Sequence, residues 1–134
     1  FVAGCGKEPE QIYTPPQEDK LIISFEEINS ISGVTDKYEI YSSGKYIVTM
    51  INKNKEENKN ENILAQGDLN YLKSLITNRE FSTIPDYMEG AGQNCPVLLL
   101  KIDYQNSLRT IRAESCAATT DTFNNVLDAI RKLK

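Results

Sequence analysis

From Leu21 onward the chain switches between two apolar periods. In "KLIISFEEI", Leu21, Ile23 and Phe25 fall on one face of an extended chain and Ile22, Ser24 and Glu26 on the other, the period of a half-buried strand. "NSISGV" breaks the run. "DKYEIYSSGKYIVTMIN" then reads as a hairpin, two β-rich runs around Ser42-Ser43-Gly44, whose glycine supplies the positive φ of the turn. The next stretch, "NKNKEENKNEN", has no apolar side chain to offset the entropy of ordering and predicts a mobile, solvated excursion over 52–62.

Ile63 and Leu64 resume a short strand. Gly67-Asp68 then opens a helix with Asp68 as N-cap, Leu69, Leu72, Leu75 and Ile76 as its apolar stripe, and Asn78 as its stop. "REFSTIPDYMEGAGQN" predicts an irregular crossing in which Phe81, Ile84 and Tyr87 cover the core edge, because Pro85 and two glycines oppose regular structure. In "PVLLLKIDYQNSLRTIRAES" a two-residue turn at Gln105-Asn106 sets Leu98 opposite Ala113, Leu100 opposite Ile111 and Ile102 opposite Arg109, gathering the apolar residues on one face. Leu99 opposite Arg112 and Lys101 opposite Thr110 form the outer face. The same register carries Cys95 opposite Cys116, and antiparallel partners about 4.5–5.5 Å apart at Cα lie within disulfide range. "TTDTFNNVLDAIRKLK" closes the chain with Phe123, Val126, Leu127, Ile130 and Leu133 at helical spacing, an acid at its start and bases at its end. The order predicts an α+β fold, a single antiparallel or mixed sheet of about four to five strands built from two hairpins and backed by two helices.

With 134 residues, 40% hydrophobic, the chain suits one domain with one modest core. No apolar run approaches the roughly 18 residues of a membrane-spanning helix. The net charge is −4 and the lysines are interleaved with acids, which argues against nucleic acid as a partner. The absence of histidine excludes Ser-His-Asp and Cys-His catalysis and histidine-ligated zinc. Among carboxylates, Glu26 and Glu27 point to opposite faces of a strand and cannot share a substrate. Asp86 and Glu89 sit in the irregular crossing, where two acids without a third are poor support for a calcium site. No catalytic residue, metal site or cofactor is expected.

The start of the chain is of another kind. Val2-Ala3-Gly4-Cys5 follows a single residue and precedes a charged, proline-containing stretch, and these four positions resemble the lipobox of bacterial lipoproteins. The resemblance implies that the thiol of Cys5 carries a lipid anchor, that residues 1–4 are the remnant of a signal peptide, and that the protein sits in the bacterial cell envelope outside the cytoplasm. Residues 5–20, with Pro9, Pro15 and Pro16, then form a tether, and 21–134 the α+β domain. A packed alternative has Ile12-Tyr13 lying along a sheet edge. With Cys5 lipidated, Cys95 and Cys116 remain as an even pair in an exported protein, where a disulfide is expected.

Over most of residues 21–133, the element order, "IISFEEINSISGVTDKYEIYSSGKY", "EFSTIPDY" and the closing amphipathic helix look like small bacterial envelope domains and are similar to emfourin, the proteinaceous inhibitor of thermolysin-like metallopeptidases. Ser32-Gly33 stands where emfourin-type chains carry a glycine-rich first loop. That likeness makes Asn29, Ser30, Ile31, Ser32 and Gly33 the candidate partner-binding residues. The expected function is an envelope-anchored protein-binding module whose partner is an envelope or secreted protein, in its sharpest form a protease. The alternative is a structural or assembly lipoprotein.

Overall fold

The computed structural model describes residues 19–90, 92 and 94–134. The lipobox, Cys5, Ile12-Tyr13 and nearly all of the expected tether lie outside the described residues. Asp19 and Lys20, its last two residues, already contact the domain: Ser42 N donates to Lys20 O at 2.8 Å, and both Asp19 carboxylate oxygens accept from Ser43.

The strands are β1 (Leu21–Asn29), β2 (Val34–Tyr41), β3 (Lys45–Ile51), β4 (Glu57–Ile63), β5 (Tyr87–Met88), β6 (Val97–Tyr104) and β7 (Ser107–Glu114). The helices are α1 (Gln66–Thr77), a 3-10 turn over Arg79–Thr83, and α2 (Asp121–Arg131). One sheet of seven strands runs β4-β3-β2-β1-β6-β7-β5, antiparallel except for the β5–β7 pair. The α+β class therefore holds, and the sheet is wider than the four to five strands expected.

Two strands account for the difference. The 52–62 stretch is no loose excursion, because Asn52 Oδ1 accepts from Asn54 N at 2.9 Å and Glu56 N at 3.0 Å, closing a tight turn that leads directly into β4. Every residue of β4 is exposed, so the strand is held by its main-chain ladder to β3 and needs no apolar side chain. In the crossing, Phe81 and Ile84 are buried as expected, whereas Tyr87 is 51% exposed. Tyr87 pairs with Arg112 on the outer face and its neighbour Met88, opposite Ala113, takes the inward place.

The 97–114 hairpin has the expected register throughout, Leu98 opposite Ala113, Leu100 opposite Ile111 and Ile102 opposite Arg109. Gln105 and Asn106 both take positive φ, as a tight two-residue turn requires. The first strand departs from simple alternation. A bulge between Leu21 and Ile23 turns Ile22 into the core and leaves Leu21 36% exposed. Helix α1 starts at Gln66 with Ala65 as N-cap and no side-chain cap, so Asp68 sits in the first turn, where its charge complements the helix dipole. Its stripe packs as expected, with Leu69, Leu72 and Ile76 buried and Leu75 partly so, and Asn78 ends it.

One face of the sheet carries the core. Ile23, Phe25, Tyr38, Ile40, Leu100 and Ile111 meet Phe123, Val126, Leu127 and Ile130 of α2, all almost completely buried. No helix of the described residues is long and apolar enough to cross a membrane.

Candidate functional site

The Asn29–Gly33 loop joins β1 to β2 at one end of the sheet. Its shape is set by Asn29, whose Oδ1 accepts from both Ile31 N and Ser32 N at 3.0 Å while its carbonyl accepts from Gly33 N at 2.9 Å. Gly33 has φ +74°, and a Cβ there would come within 2.7 Å of Lys53 Cβ, so the position admits only glycine without strain. Ser30, Ile31 and Ser32 are exposed, and Ile31 is 69% so. The loop thus offers an apolar side chain to solvent on a backbone held by three internal hydrogen bonds.

The β3–β4 turn lies against it, through Lys53. At the same end of the sheet, Cys95 and Cys116 are joined by a disulfide with Cα atoms 5.8 Å apart, as the hairpin register requires. Ser115 N donates to Pro96 O at 2.8 Å and Gly90 N donates to Glu114 Oε1, so the chain on both sides of the bridge is tied to β7. Gly90 packs so closely on Cys116 Sγ that a Cβ would collide with it.

Beneath the loop the strands carry charge into the helix-covered layer. Glu27 and Asp36 are direct cross-strand partners on the helix-covered face, a like-charge pair that would be unfavourable alone. The end of α2 resolves it: Arg131 Nε reaches Glu27 at 3.1 Å and Lys134 Nζ reaches Asp36 at 3.1 Å. Burial pushes the Tyr38 phenol up, and the nearby Asp36 and Glu27 charges add to the shift, so Tyr38 stays neutral beside this cluster. At the opposite end of the sheet, hydrogen bonds from the Ser43 hydroxyl and amide hold the Asp19 carboxyl below the usual carboxylate range.

The carboxylates weighed as reaction groups are separated or engaged. Glu26 faces away from the helices and Glu27 toward them, on opposite sides of β1. Asp86 accepts from Arg109 Nη2 at 2.7 Å, and the same guanidinium donates to Phe81 O at 3.0 Å and Ile84 O at 2.6 Å. Arg109 therefore pins the crossing to the sheet, and Asp86 completes its hydrogen bonding. Glu89 is exposed, and its neighbour Gly90 bonds to Glu114. The sequence pattern alone does not disclose the Arg109 clamp or the Glu27–Arg131 contact. The one signal for Arg109 was its place opposite Ile102 on an otherwise apolar face.

The sheet's other face has no helix over it among the described residues. Ile28, Ile47, Ile51, Val97 and Leu99 are half-buried there, and Leu108 is 78% exposed beside a shallow groove of about 480 Å³ that reaches Ser24, Lys37 and Lys101. No protein-family model and no curated protein matches the chain.

Proposed function

We propose that the protein is an envelope-anchored lipoprotein, held by lipid on Cys5, whose domain works by binding another protein through the Asn29–Gly33 loop, and that it performs no turnover of its own. The carrying observation is Ile31, an exposed apolar side chain on a loop closed by its own hydrogen bonds. A preorganised loop loses little entropy on docking, so its contacts are converted to affinity with small loss. The disulfide at the same end of the sheet and the ion pairs from α2 hold the platform beneath it. The emfourin likeness sharpens the reading to inhibition of a thermolysin-like metallopeptidase. The commitment of Asp86 to Arg109, and the placement of Glu26 and Glu27 on opposite faces, support binding rather than catalysis.

A specific feature favours the structural or assembly reading as the second. The helix-free face is broad and carries partly exposed isoleucine, valine and leucine side chains, which suits a flat partner better than a cleft.

Titrating a thermolysin-like metallopeptidase with the soluble protein tests the first reading. Stoichiometric loss of peptidase activity is expected, and Ile31→Asp should weaken it by roughly 30-fold or more, the effect of removing an interface anchor. Full peptidase activity at excess protein, across a panel of such enzymes, would set inhibition aside in favour of the open face.

A further inference from the structure

Among the described residues, strand β4 is a free edge along all seven of its residues, while at the opposite edge β5 pairs with only Arg112 and Ala113 of β7. Its hydrogen-bonding direction follows from its two ends. Asn52 N donates to Glu56 O at 3.0 Å and Leu64 N to Gly44 O at 2.8 Å, and the ladder between them pairs Met50, Val48 and Tyr46 with Asn58, Asn60 and Asn62. In an antiparallel ladder alternate residues face the neighbour, so the main-chain N–H and C=O groups of Glu57, Lys59, Glu61 and Ile63 point outward from the sheet. All four residues are exposed.

The side chains of Glu57, Lys59 and Glu61 share the helix-free face, with Lys59 Nζ 3.8 Å from Glu57 Oε1. Asn58, Asn60 and Asn62 share the other. Charged side chains on an edge strand commonly keep it from pairing. Here their order distinguishes one register from another. A second copy docked antiparallel across a two-fold axis perpendicular to the sheet must keep faces matched, so one residue of the strand lies on the axis. With Lys59 on the axis, lysine meets lysine and Glu57 meets Glu61, a repulsive register. With Asn58 on the axis, Lys59 meets Glu57 but only half of the strand overlaps. With Asn60 on the axis, the whole span Glu57–Ile63 overlaps, each Lys59 faces the other copy's Glu61, and Asn58 faces Asn62. Each amide supplies both a donor and an acceptor for such a pair.

We propose that two copies of this chain associate through their β4 edges, antiparallel and centred on Asn60, joining two seven-stranded sheets into one with the helices of both copies on the same side. The outward main-chain groups of Glu57, Lys59, Glu61 and Ile63 form the new ladder, and two reciprocal Lys59–Glu61 pairs set its register. Exposed ion pairs contribute little each, so the dimer is weak and sensitive to salt. This surface is separate from the Asn29–Gly33 loop, and its failure leaves that loop's role untouched.

Sedimentation equilibrium of the full chain tests the pairing, over a concentration series extended to the millimolar range at low and at high salt. The expected result is a monomer–dimer equilibrium that weakens as salt rises. Lys59→Glu converts both attractions to repulsions and should weaken dimerisation by at least about tenfold. Adding Glu61→Lys to Lys59→Glu restores both opposite-charge pairs of the Asn60-centred register, whereas an Asn58-centred register would still oppose glutamates at positions 57 and 59, and should return the parent affinity to within about threefold. A parent that stays monomeric at low salt, or a Lys59→Glu variant that dimerises like the parent, overturns the proposal. So does a double variant that stays as weak as the single one.

Discussion

Arg109 lies on the otherwise apolar inward face of the 97–114 hairpin, and its guanidinium serves three acceptors on the crossing, two of them main-chain carbonyls of residues that are themselves buried. Arg109→Met keeps much of the side chain's apolar bulk and leaves those carbonyls without their donor, which should cost about 2 kcal/mol. Arg109→Lys should recover little, because a single ammonium cannot match the planar fork. Urea denaturation checks both, and a Met variant as stable as the parent would show that the clamp is incidental. The role was not legible beforehand because the partners lie 25 and 28 residues away in a segment without periodicity. The same holds for Glu27: nothing in "FEEI" says that the second glutamate faces Asp36 and is neutralised by Arg131. Only strand pairing brings these residues together.

Elements that bury one face were readable, and those that bury none were not. The 97–114 hairpin was legible in full, register included, because two constraints coincide: apolar alternation on both strands and a two-residue turn at Gln105-Asn106. The sequence of β4 reads as a loop for a physical reason. An edge strand exposed on both faces shows no period, and its order comes from a side-chain-capped turn and main-chain bonds rather than from burial. The bulge in β1 was likewise hidden, since one extra residue shifts the inward face between Leu21 and Ile23 without altering the apolar composition. The hairpin's clamp can be weighed directly. Replacing Cys95 and Cys116 together by alanine opens a cross-link spanning 21 residues and should lower stability by about 3 kcal/mol, somewhat less if the hairpin persists in the unfolded chain. A shift in the urea midpoint measures the loss. An unchanged midpoint would mean that the hairpin ladder alone holds that end of the sheet.

At the scale of the whole molecule, the α+β class and the two covering helices followed from the order of periods, whereas the sheet's full width did not, because the two unrecognised strands are an edge and a two-residue pair. Of the candidate site, the resemblance alone singles out the Asn29–Gly33 loop; its internal hydrogen bonds, the contact of Gly33 with Lys53 and the exposure of Ile31 emerge only once the loop is folded. Besides the β4 edge proposed for a second copy, a narrow loop end braced by the disulfide and a broad helix-free face are open to a protein partner, and we propose that the loop end is the one used. A photo-activated cross-linking residue placed at Ile31, and in a second protein at Thr110 on the open face, tests it in intact cells making the full-length precursor. The account predicts a discrete protein adduct from position 31 and none from position 110; an adduct from position 110 with none from position 31 would contradict it.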